Sequence, residues 1–402
     1  MSYLKETGKR EALLFVLLVY GASRFLYLGA GTFFASVVPV SRFHLITADV
    51  PFGKTSLWSH WDGEHYLALA AGGYLQPPGD VSPAFFPLYP LLMRSFAGLF
   101  GGPVSWGALS VWGVGISLAA LPFALFFVYR IAEDGWDRDV ARGATLALAF
   151  FPTAFFLNAV YTESLFLALS AGALWAAKVR KDLLLACVLA GLAAATRNVG
   201  LFLLVPLLYE WYKYRDLYRW RVLYLALAPS GIFLYAAYLW LRFGDPLLFY
   251  TDQQKWGREP SGPLVTIVNT WNSATEGASR LLDPGLWSDP TLAGLANQVA
   301  GGRNLYDLLF FLFAVVVLLV GLHDLPPDLS IYAALLVLPA ALFGTLQSPL
   351  MGAPRYVLVA FPLFIVLGML HKNRPVFVAG LVLSTALSLV FCALFVTWRF
   401  VA

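Results

Sequence analysis

One short segment near the start of the chain combines acidic, imidazole and aromatic side chains, in the run from Trp58 to Leu69. Asp62 lies within it, and helical spacing places Asp62 on one face with Tyr66 and Leu69. A carboxylate at a partly desolvated boundary can have its pKa set by its neighbours and can take a proton from a hydroxyl group. Asp62 is therefore a candidate general base. The alternative is that Asp62 caps a short amphipathic helix on the membrane surface, because Asp is a preferred N-cap residue.

The same segment offers potential metal ligands in His60, Asp62, Glu64 and His65. Their spacing is not H-E-x-x-H, and the two histidines would not share a helix face. The pattern therefore favours a solvated cluster over a metal site. We expect no cofactor, and the sequence leaves metal dependence open.

Further charged residues lie at the ends of apolar stretches, where a charge is costly and often functional. Glu163 begins one such stretch, either as a site residue or as a carboxylate favoured by a helix dipole. Arg197 and Arg355 adjoin other stretches, and a guanidinium binds phosphate through a planar fork. We expect both arginines to contact a lipid phosphate. The alternatives are snorkelling to headgroups or pairing with Glu163, and for Arg24 a structural role stays open.

A second polar segment brings Gln254, Trp256 and Arg258 together. Such side chains provide the hydrogen bonds and ring stacking of a sugar site, although interfacial loops commonly contain them too. The sequence contains no G-x-G-x-x-G, Walker loop, G-x-S-x-G or paired C-x-x-C motif. It therefore lacks the signatures of nucleotide-phosphate, serine-hydrolase and zinc-ribbon proteins.

The composition requires a membrane around these residues. Of the 402 residues, 59% are hydrophobic and 12% are charged, whereas a soluble domain is roughly 45–50% apolar and about 25% charged. This excludes soluble enzymes, secreted disulfide scaffolds and disordered proteins. The net charge of +4 says little about acidic partners, and we expect a lipid bilayer, not nucleic acid, as a partner.

Eleven apolar stretches are candidate crossings, for which roughly 20 residues are needed. They are 12–38, 105–131, 143–158, 160–178, 182–196, 198–211, 222–243, 304–322, 330–346, 356–371 and 375–397. The stretches 143–158, 182–196 and 198–211 are short, so each could be tilted, kinked or re-entrant.

The distribution of basic residues predicts the orientation. Fifteen of the 27 Lys and Arg residues lie in short connections on one side, which predicts a cytoplasmic N-terminus. The two long segments 39–104 and 244–303 then lie on the outer face. The sequence thus predicts an all-α integral membrane protein with one transmembrane domain over 1–402 and amphipathic helices on its outer face.

Several motifs, taken together, resemble the GPI mannosyltransferase II family and its prokaryotic relatives. They are Trp61-Asp62 with His65-Tyr66, Gly73-Tyr74, Ala84-Phe85-Phe86-Pro87-Leu88-Tyr89-Pro90, Tyr161-Thr162-Glu163-Ser164, Thr196-Arg197-Asn198, Phe243-Gly244-Asp245-Pro246 with Gln254 and Trp256-Gly257-Arg258, and Pro354-Arg355-Tyr356. They follow in order from about 58 to 362, so the resemblance extends over most of the chain.

This resemblance implies a GT-C glycosyltransferase, a multi-spanning enzyme that takes sugar from a polyprenyl-phosphate donor. It makes Asp62 the general base, and the implied substrate-binding residues are His65, Tyr66, Phe86, Tyr89, Glu163, Arg197, Gln254, Trp256, Arg258, Arg355 and Tyr356. The run Asn198-Val199-Gly200 departs from the Ser-Asn-Gly of eukaryotic members, so the acceptor is not carried over. The prokaryotic resemblance and the lack of an Asn-x-Ser/Thr sequon favour a bacterial or archaeal plasma membrane, with the active site on its outer face.

The residue types suit transfer better than hydrolysis. A lipid phosphate is a good leaving group that needs charge stabilisation, which arginines provide. One carboxylate then suffices for direct displacement with inversion, whereas glycoside hydrolysis uses two. We predict transfer of a hexose, most simply mannose, to a glycan or lipid. The alternatives are a transporter or flippase of lipid-linked sugars, a non-catalytic binding protein, and a transferase of another sugar.

Overall fold

The computed structural model describes residues 2–41, 56–74, 82–100, 104–260, 262–285, 289–345 and 348–401. These residues are mostly helical, and their α-helices are α1 Ser2–Val37, α2 Asp62–Gly72, α3 Leu88–Leu99, α4 Trp106–Gly135, α5 Arg138–Ala149, α6 Glu163–Lys178, α7 Leu183–Thr196, α8 Leu204–Lys213, α9 Arg215–Tyr218, α10 Ser230–Phe243, α11 Leu248–Thr251, α12 Pro263–Leu282, α13 Leu292–Gly301, α14 Arg303–Asp324, α15 Pro327–Val337, α16 Ala353–Val359, α17 Phe361–Met369 and α18 Arg374–Val396. Two short antiparallel strands, β1 Glu259–Pro260 and β2 Phe343–Gly344, join distant parts of the chain.

Five helical stretches in the described chain are long and apolar enough to cross a membrane. They are Arg10–Val37, Trp106–Gly135, Arg215–Phe243, Arg303–Asp324 and Arg374–Val396, and one bent helix pair would make a sixth. The prediction of an all-α integral membrane protein is confirmed at this level. The number of eleven crossings stays a prediction.

The three short apolar stretches of the sequence differ in structure. The stretch 143–158 is interrupted, because α5 ends at Ala149 and a 3₁₀ turn follows at Ala154–Asn158. The stretch 198–211 begins with a 3₁₀ turn before α8. The helix α7 has 14 residues, so it is about 21 Å long, shorter than the bilayer core of about 30 Å.

The helices α6 and α7 form a hairpin that brings opposite charges together. Glu163 is the first residue of α6, where the helix dipole favours a negative charge. Arg197 directly follows the last residue of α7, where the dipole favours a positive charge. Because the two helices are connected by a short turn and pack together, the start of one lies beside the end of the other.

A break between α16 and α17 bends this pair of helices by 73°. Pro362 lies at the start of α17 and cannot continue a helix from α16, because its ring would clash with the carbonyl group four residues earlier. Gly352 precedes α16 with a φ of 85°, a left-handed conformation that other residues adopt only with strain. The resulting short helix α16 holds Arg355 in its first turn.

Arg24 has a structural environment within the buried core. Its guanidinium donates hydrogen bonds to the amide oxygen of Asn158 at 2.6 Å and to the carbonyl oxygens of Ala154 and Ala149 at 3.2 and 3.4 Å. These carbonyls lie at the interruption after α5, where helical hydrogen bonds end. Arg24 therefore ties α1 to this interruption.

Candidate active site

A cavity of about 390 Å³ opens between residues from distant parts of the sequence. It is lined by Asp62, Tyr66, Ala84, Phe85, Phe86, Thr196, Arg197, Asn198, Val199, Phe202, Tyr250, Thr251, Gln253, Gln254, Arg258, Leu336, Pro339, Ala340, Met351, Gly352, Arg355, Tyr356 and Phe400. Residues of both long polar segments, 39–104 and 244–303, thus line the same cavity. Within the first of these segments, 42–55, 75–81 and 101–103 lie outside the described residues.

Asp62 is the carboxylate among the described lining residues. It is the first residue of α2, and its Oδ2 accepts a hydrogen bond at 2.6 Å from Nη1 of Arg355. The interpretation of Asp62 as a helix cap is wrong, because Trp61 occupies the N-cap position and makes no side-chain capping hydrogen bond. The helix α2 also packs against α3 and α4 and buries about half of its residues. Asp62 itself keeps 27% of its side chain exposed, so a substrate can reach it.

Glu163 lies behind the arginines and joins them. Its Oε1 accepts hydrogen bonds from Nε of Arg355 at 2.8 Å and from Nη1 of Arg197 at 2.9 Å, and its side chain is fully buried. Arg197 also donates to the hydroxyl of Thr162 at 3.1 Å. Two carboxylates and two guanidiniums thus alternate in one buried cluster: Asp62, Arg355, Glu163 and Arg197. The pairing with Glu163 that we named as the alternative for the two arginines is present.

Arg258 reaches the cavity from the second polar segment. Its Nη1 donates a hydrogen bond to the hydroxyl of Tyr356 at 2.9 Å and lies 3.5 Å from Oε1 of Gln253. Gly257, before it, has a φ of 67° and reverses the chain ahead of β1. The pairing of β1 with β2 then holds this turn near the residues before α16.

The electrostatic environment keeps Asp62 ionised. Burial raises the pKa of Asp62, but the charge and hydrogen bond of Arg355, helped by His65 and Arg258, outweigh burial and hold the pKa below its usual value. Burial also lowers the pKa of His65, against an opposing effect of Asp62. Asp62 is thus an anion at neutral pH.

The remaining predicted site residues differ in where they lie relative to the cavity. Tyr66, Phe86 and Gln254 line the cavity. His65 stacks on Phe85 with ring centroids 4.8 Å apart and lies just outside the lining. The backbone of Trp256 is described, but its side chain lies outside the described part of the structure.

Tyr89 does not line the cavity. Its side chain is fully buried, and its hydroxyl donates to the carbonyl oxygen of Gly113 at 2.8 Å and lies 2.9 Å from the hydroxyl of Ser117. These bonds tie α3 to α4. In this position Tyr89 supports α3 and α4, against which α2 packs.

The potential metal ligands near Asp62 do not converge. Within the described ranges, no group of three or more His, Cys, Asp and Glu side chains could hold a metal ion. His60 stacks on Trp398 with ring centroids 4.0 Å apart, and its Nδ1 lies 3.0 Å from the carbonyl oxygen of Phe395. Asp62 pairs with Arg355 instead.

Several lining residues have no signal in the sequence. The apolar lining residues lie in or beside apolar stretches, where most apolar side chains only fill the core, and they include Phe202, Leu336, Pro339, Met351 and Phe400. The polar lining residues of the second segment, such as Gln253, do have a signal, because the sequence predicts a sugar site in that segment. The apolar ones become visible only when the helices are in place.

Residues 48–240, just under half of the chain, match the model of the family described as Mannosyltransferase (PIG-V). The resemblance that the motifs indicated is confirmed over this region, which includes Asp62, Glu163 and Arg197. A related protein is GPI mannosyltransferase 2 of Drosophila pseudoobscura pseudoobscura, 32% identical over 113 residues. The match covers 27% of this chain and 24% of the relative, so the chain spans about a quarter of that relative's length.

The chain is also similar to solved structures, two of which follow with their coverage. ArnT from Cupriavidus metallidurans, bound to undecaprenyl phosphate, has 14% sequence identity and a TM-score of 0.49, covering 92% of this chain and 62% of the other. The oligosaccharyltransferase of Archaeoglobus fulgidus, tethered with an acceptor peptide, has 14% identity and a TM-score of 0.47 and covers 99% and 56%.

Proposed function

We propose that the chain is a membrane glycosyltransferase that transfers a hexose, most simply mannose, from a polyprenyl-phosphate donor to a glycan or lipid acceptor. The observation that carries this proposal is the Asp62 carboxylate, held at 2.6 Å by Arg355 and exposed to a cavity, within the region that matches the mannosyltransferase family. The GPI mannosyltransferase 2 relative supports mannose as the first sugar to test.

The cavity lining supports a substrate with both a sugar and a lipid. Aromatic rings of Tyr66, Phe86 and Tyr250 offer surfaces on which a sugar ring can stack, and the amides of Gln253 and Gln254 offer hydrogen bonds to hydroxyl groups. Arginines contribute the positive charge that a phosphate needs. We propose that a polyprenyl tail lies against the candidate membrane spans, within the bilayer.

The reaction we propose is a single displacement with inversion. Asp62 takes the proton of the acceptor hydroxyl, the acceptor oxygen forms a bond to the anomeric carbon, and the bond from that carbon to the phosphate oxygen breaks. The electron pair leaves with the polyprenyl phosphate. Because the pKa of Asp62 is held low, proton transfer completes late, when the attacking oxygen has become strongly acidic.

The proposed side of the membrane for the reaction follows from the predicted orientation of the chain. The basic residues of the short connections predict that both long polar segments face outward. We therefore propose that transfer occurs on the outer face of a bacterial or archaeal plasma membrane.

The test uses purified protein in nanodiscs with radiolabelled polyprenyl-phosphate mannose and a membrane lipid extract. Wild-type protein should transfer label to an acceptor, and Asp62→Asn should not, while it still binds the donor. Transfer from another polyprenyl-phosphate sugar, but not from the mannose donor, would replace mannose in the proposal. Accumulation of intact donor across a sealed membrane without transfer would favour a transporter instead.

A further inference from the structure

The charged side chains that the structure describes around the cavity do not balance. Among the described residues, the lining contains the carboxylate of Asp62 and the guanidiniums of Arg197, Arg258 and Arg355, and Glu163 adds a second carboxylate behind them. Two negative charges therefore face three positive charges. One positive charge is left over.

The leftover positive charge can be assigned to one of the three arginines. Arg355 bridges both carboxylates, at 2.6 Å to Asp62 and 2.8 Å to Glu163, and Arg197 lies 2.9 Å from Glu163. These four side chains form a neutral group. Of the side chains that the structure describes, none places a carboxylate oxygen within 4.0 Å of the Arg258 guanidinium.

Arg258 is also oriented toward the cavity. The hydroxyl of Tyr356 accepts a hydrogen bond from its Nη1 at 2.9 Å, and Tyr356 itself lines the cavity beside Arg355. Its remaining guanidinium N–H groups lack a carboxylate partner among the described side chains, and a guanidinium can bind two phosphate oxygens at once. The hydroxyl of Tyr356 thus positions a fork that is open to an anion.

We propose that Arg258 binds the donor phosphate and that its single excess charge selects a singly charged phosphodiester. This inference rests on the proposed function and refines it, since Arg197 and Arg355 then serve the carboxylates and Arg258 serves the donor. A sugar joined to a polyprenol through one phosphate is a phosphodiester, which carries one negative charge. A diphosphate-linked sugar or a nucleotide sugar carries at least two and would leave a charge uncompensated.

The experiment measures equilibrium binding of radiolabelled polyprenyl-phosphate mannose to the full chain in nanodiscs. Arg258→Gln should weaken binding by about 10- to 100-fold, the effect of losing a hydrogen-bonded charge. Arg258→Lys should weaken binding less, because it keeps the charge and loses the fork. A polyprenyl-diphosphate-linked sugar should compete poorly with the wild-type protein.

Lys255 provides the matched control in the same segment. Its Nζ pairs with Asp252 at 2.5 Å, its side chain is 52% exposed, and it is not part of the cavity lining. Lys255→Gln removes the same charge and should leave donor binding within about twofold, because the exposed Lys255 charge is screened by solvent and Asp252 still accepts a hydrogen bond from Ser82.

Each other outcome overturns a distinct statement. Donor binding by Arg258→Gln at wild-type strength would overturn the phosphate assignment and leave the transferase proposal standing. If wild-type protein binds sugar-free polyprenyl phosphate in an Arg258-dependent way but not the mannose donor, the phosphate assignment holds and mannose is wrong. If wild-type protein binds neither lipid, both proposals are wrong. Equal competition by the diphosphate-linked sugar would overturn the charge selection.

Discussion

The substitution Glu163→Gln tests whether the buried carboxylate holds the two arginines of the site. Glu163 is fully buried and accepts hydrogen bonds through Oε1 from Arg355 at 2.8 Å and Arg197 at 2.9 Å. Gln has nearly the same shape, and its amide oxygen can still accept these bonds. The change therefore removes one charge and little else.

The expected loss of stability in Glu163→Gln follows from the charges that remain in the cluster. Removing one partner of a buried ion pair costs about 3–5 kcal/mol, because the other charge stays buried. Arg355 keeps Asp62 as a partner at 2.6 Å, and Arg197 keeps a side-chain exposure of 13%. We therefore expect the free energy of unfolding to fall by about 3 kcal/mol, the lower end of this range.

A double substitution that keeps the cluster electrically neutral should recover part of the lost stability. Arg197→Gln combined with Glu163→Gln leaves Asp62 and Arg355 as a balanced pair. The double variant should then be more stable than the sum of the single changes predicts, by about 0.5–3 kcal/mol for groups in direct contact.

The assay is thermal unfolding in nanodiscs, followed by intrinsic tryptophan fluorescence. The control is Glu276→Gln, since Glu276 pairs with Arg280 at 2.5 Å while both side chains are about 60% exposed. Such an exposed pair contributes about 0.3–0.5 kcal/mol, so the midpoint should barely move. If Glu163→Gln unfolds at the same temperature as Glu276→Gln, the two arginines do not depend on this carboxylate and the reasoning is wrong.

Three other changes test the site. Asp62→Asn should lower transfer by about 10²–10⁴-fold, the range for loss of a general base, while the protein still binds the donor; a turnover assay beside a binding assay measures both. Because Arg355 holds the pKa of Asp62 low, kcat/KM should stay flat as pH falls to about 3.9, the usual Asp value. In Arg355→Gln only His65 and Arg258 still oppose the effect of burial on the pKa of Asp62, so the acidic limb should move to higher pH, and an unmoved limb in a pH series would contradict this. Tyr89→Phe loses the bonds to Gly113 and Ser117 and should cost about 1–3 kcal/mol of stability with donor KM unchanged; a raised KM would place Tyr89 at the substrate.

The sequence made the charged residues of the site recognisable because charges are rare in this chain. Asp62 lies in a polar segment rich in aromatic side chains, and Glu163, Arg197 and Arg355 lie at the ends of apolar stretches, where a charge is costly. The pairing of Glu163 with Arg197 also follows from local structure, since the start of α6 and the end of α7 meet in one hairpin. Sequence reasoning therefore reaches residues that neighbouring helices bring together.

Long-range partners were beyond the reach of the sequence. Arg355 contacts Asp62 across 293 positions of the chain, and nothing in either motif requires that contact. The expectation that Arg355 contacts a phosphate allows for pairing with Glu163 but does not include the contact with Asp62. Helix ends were equally hidden, since the break before Pro362 lies inside an apolar stretch that predicts one continuous crossing.

The balance of charges in the site gives a reason for the hydrogen bond between Arg355 and Asp62, the proposed base. Under the proposed scheme, the neutral group of four side chains, the positive Arg258 and a phosphodiester of one negative charge sum to zero. After transfer, Asp62 holds a proton and the leaving polyprenyl phosphate is a monoester with a charge of about −1.5 to −2. Arg355 has then lost the charge of one partner, so the site gains one positive charge as the phosphate gains up to one negative charge. The total charge therefore stays near zero, and no charge is left uncompensated in the cavity. Proton transfer to Asp62 thereby prepares the site to stabilise the leaving group, and Arg355 links the two events.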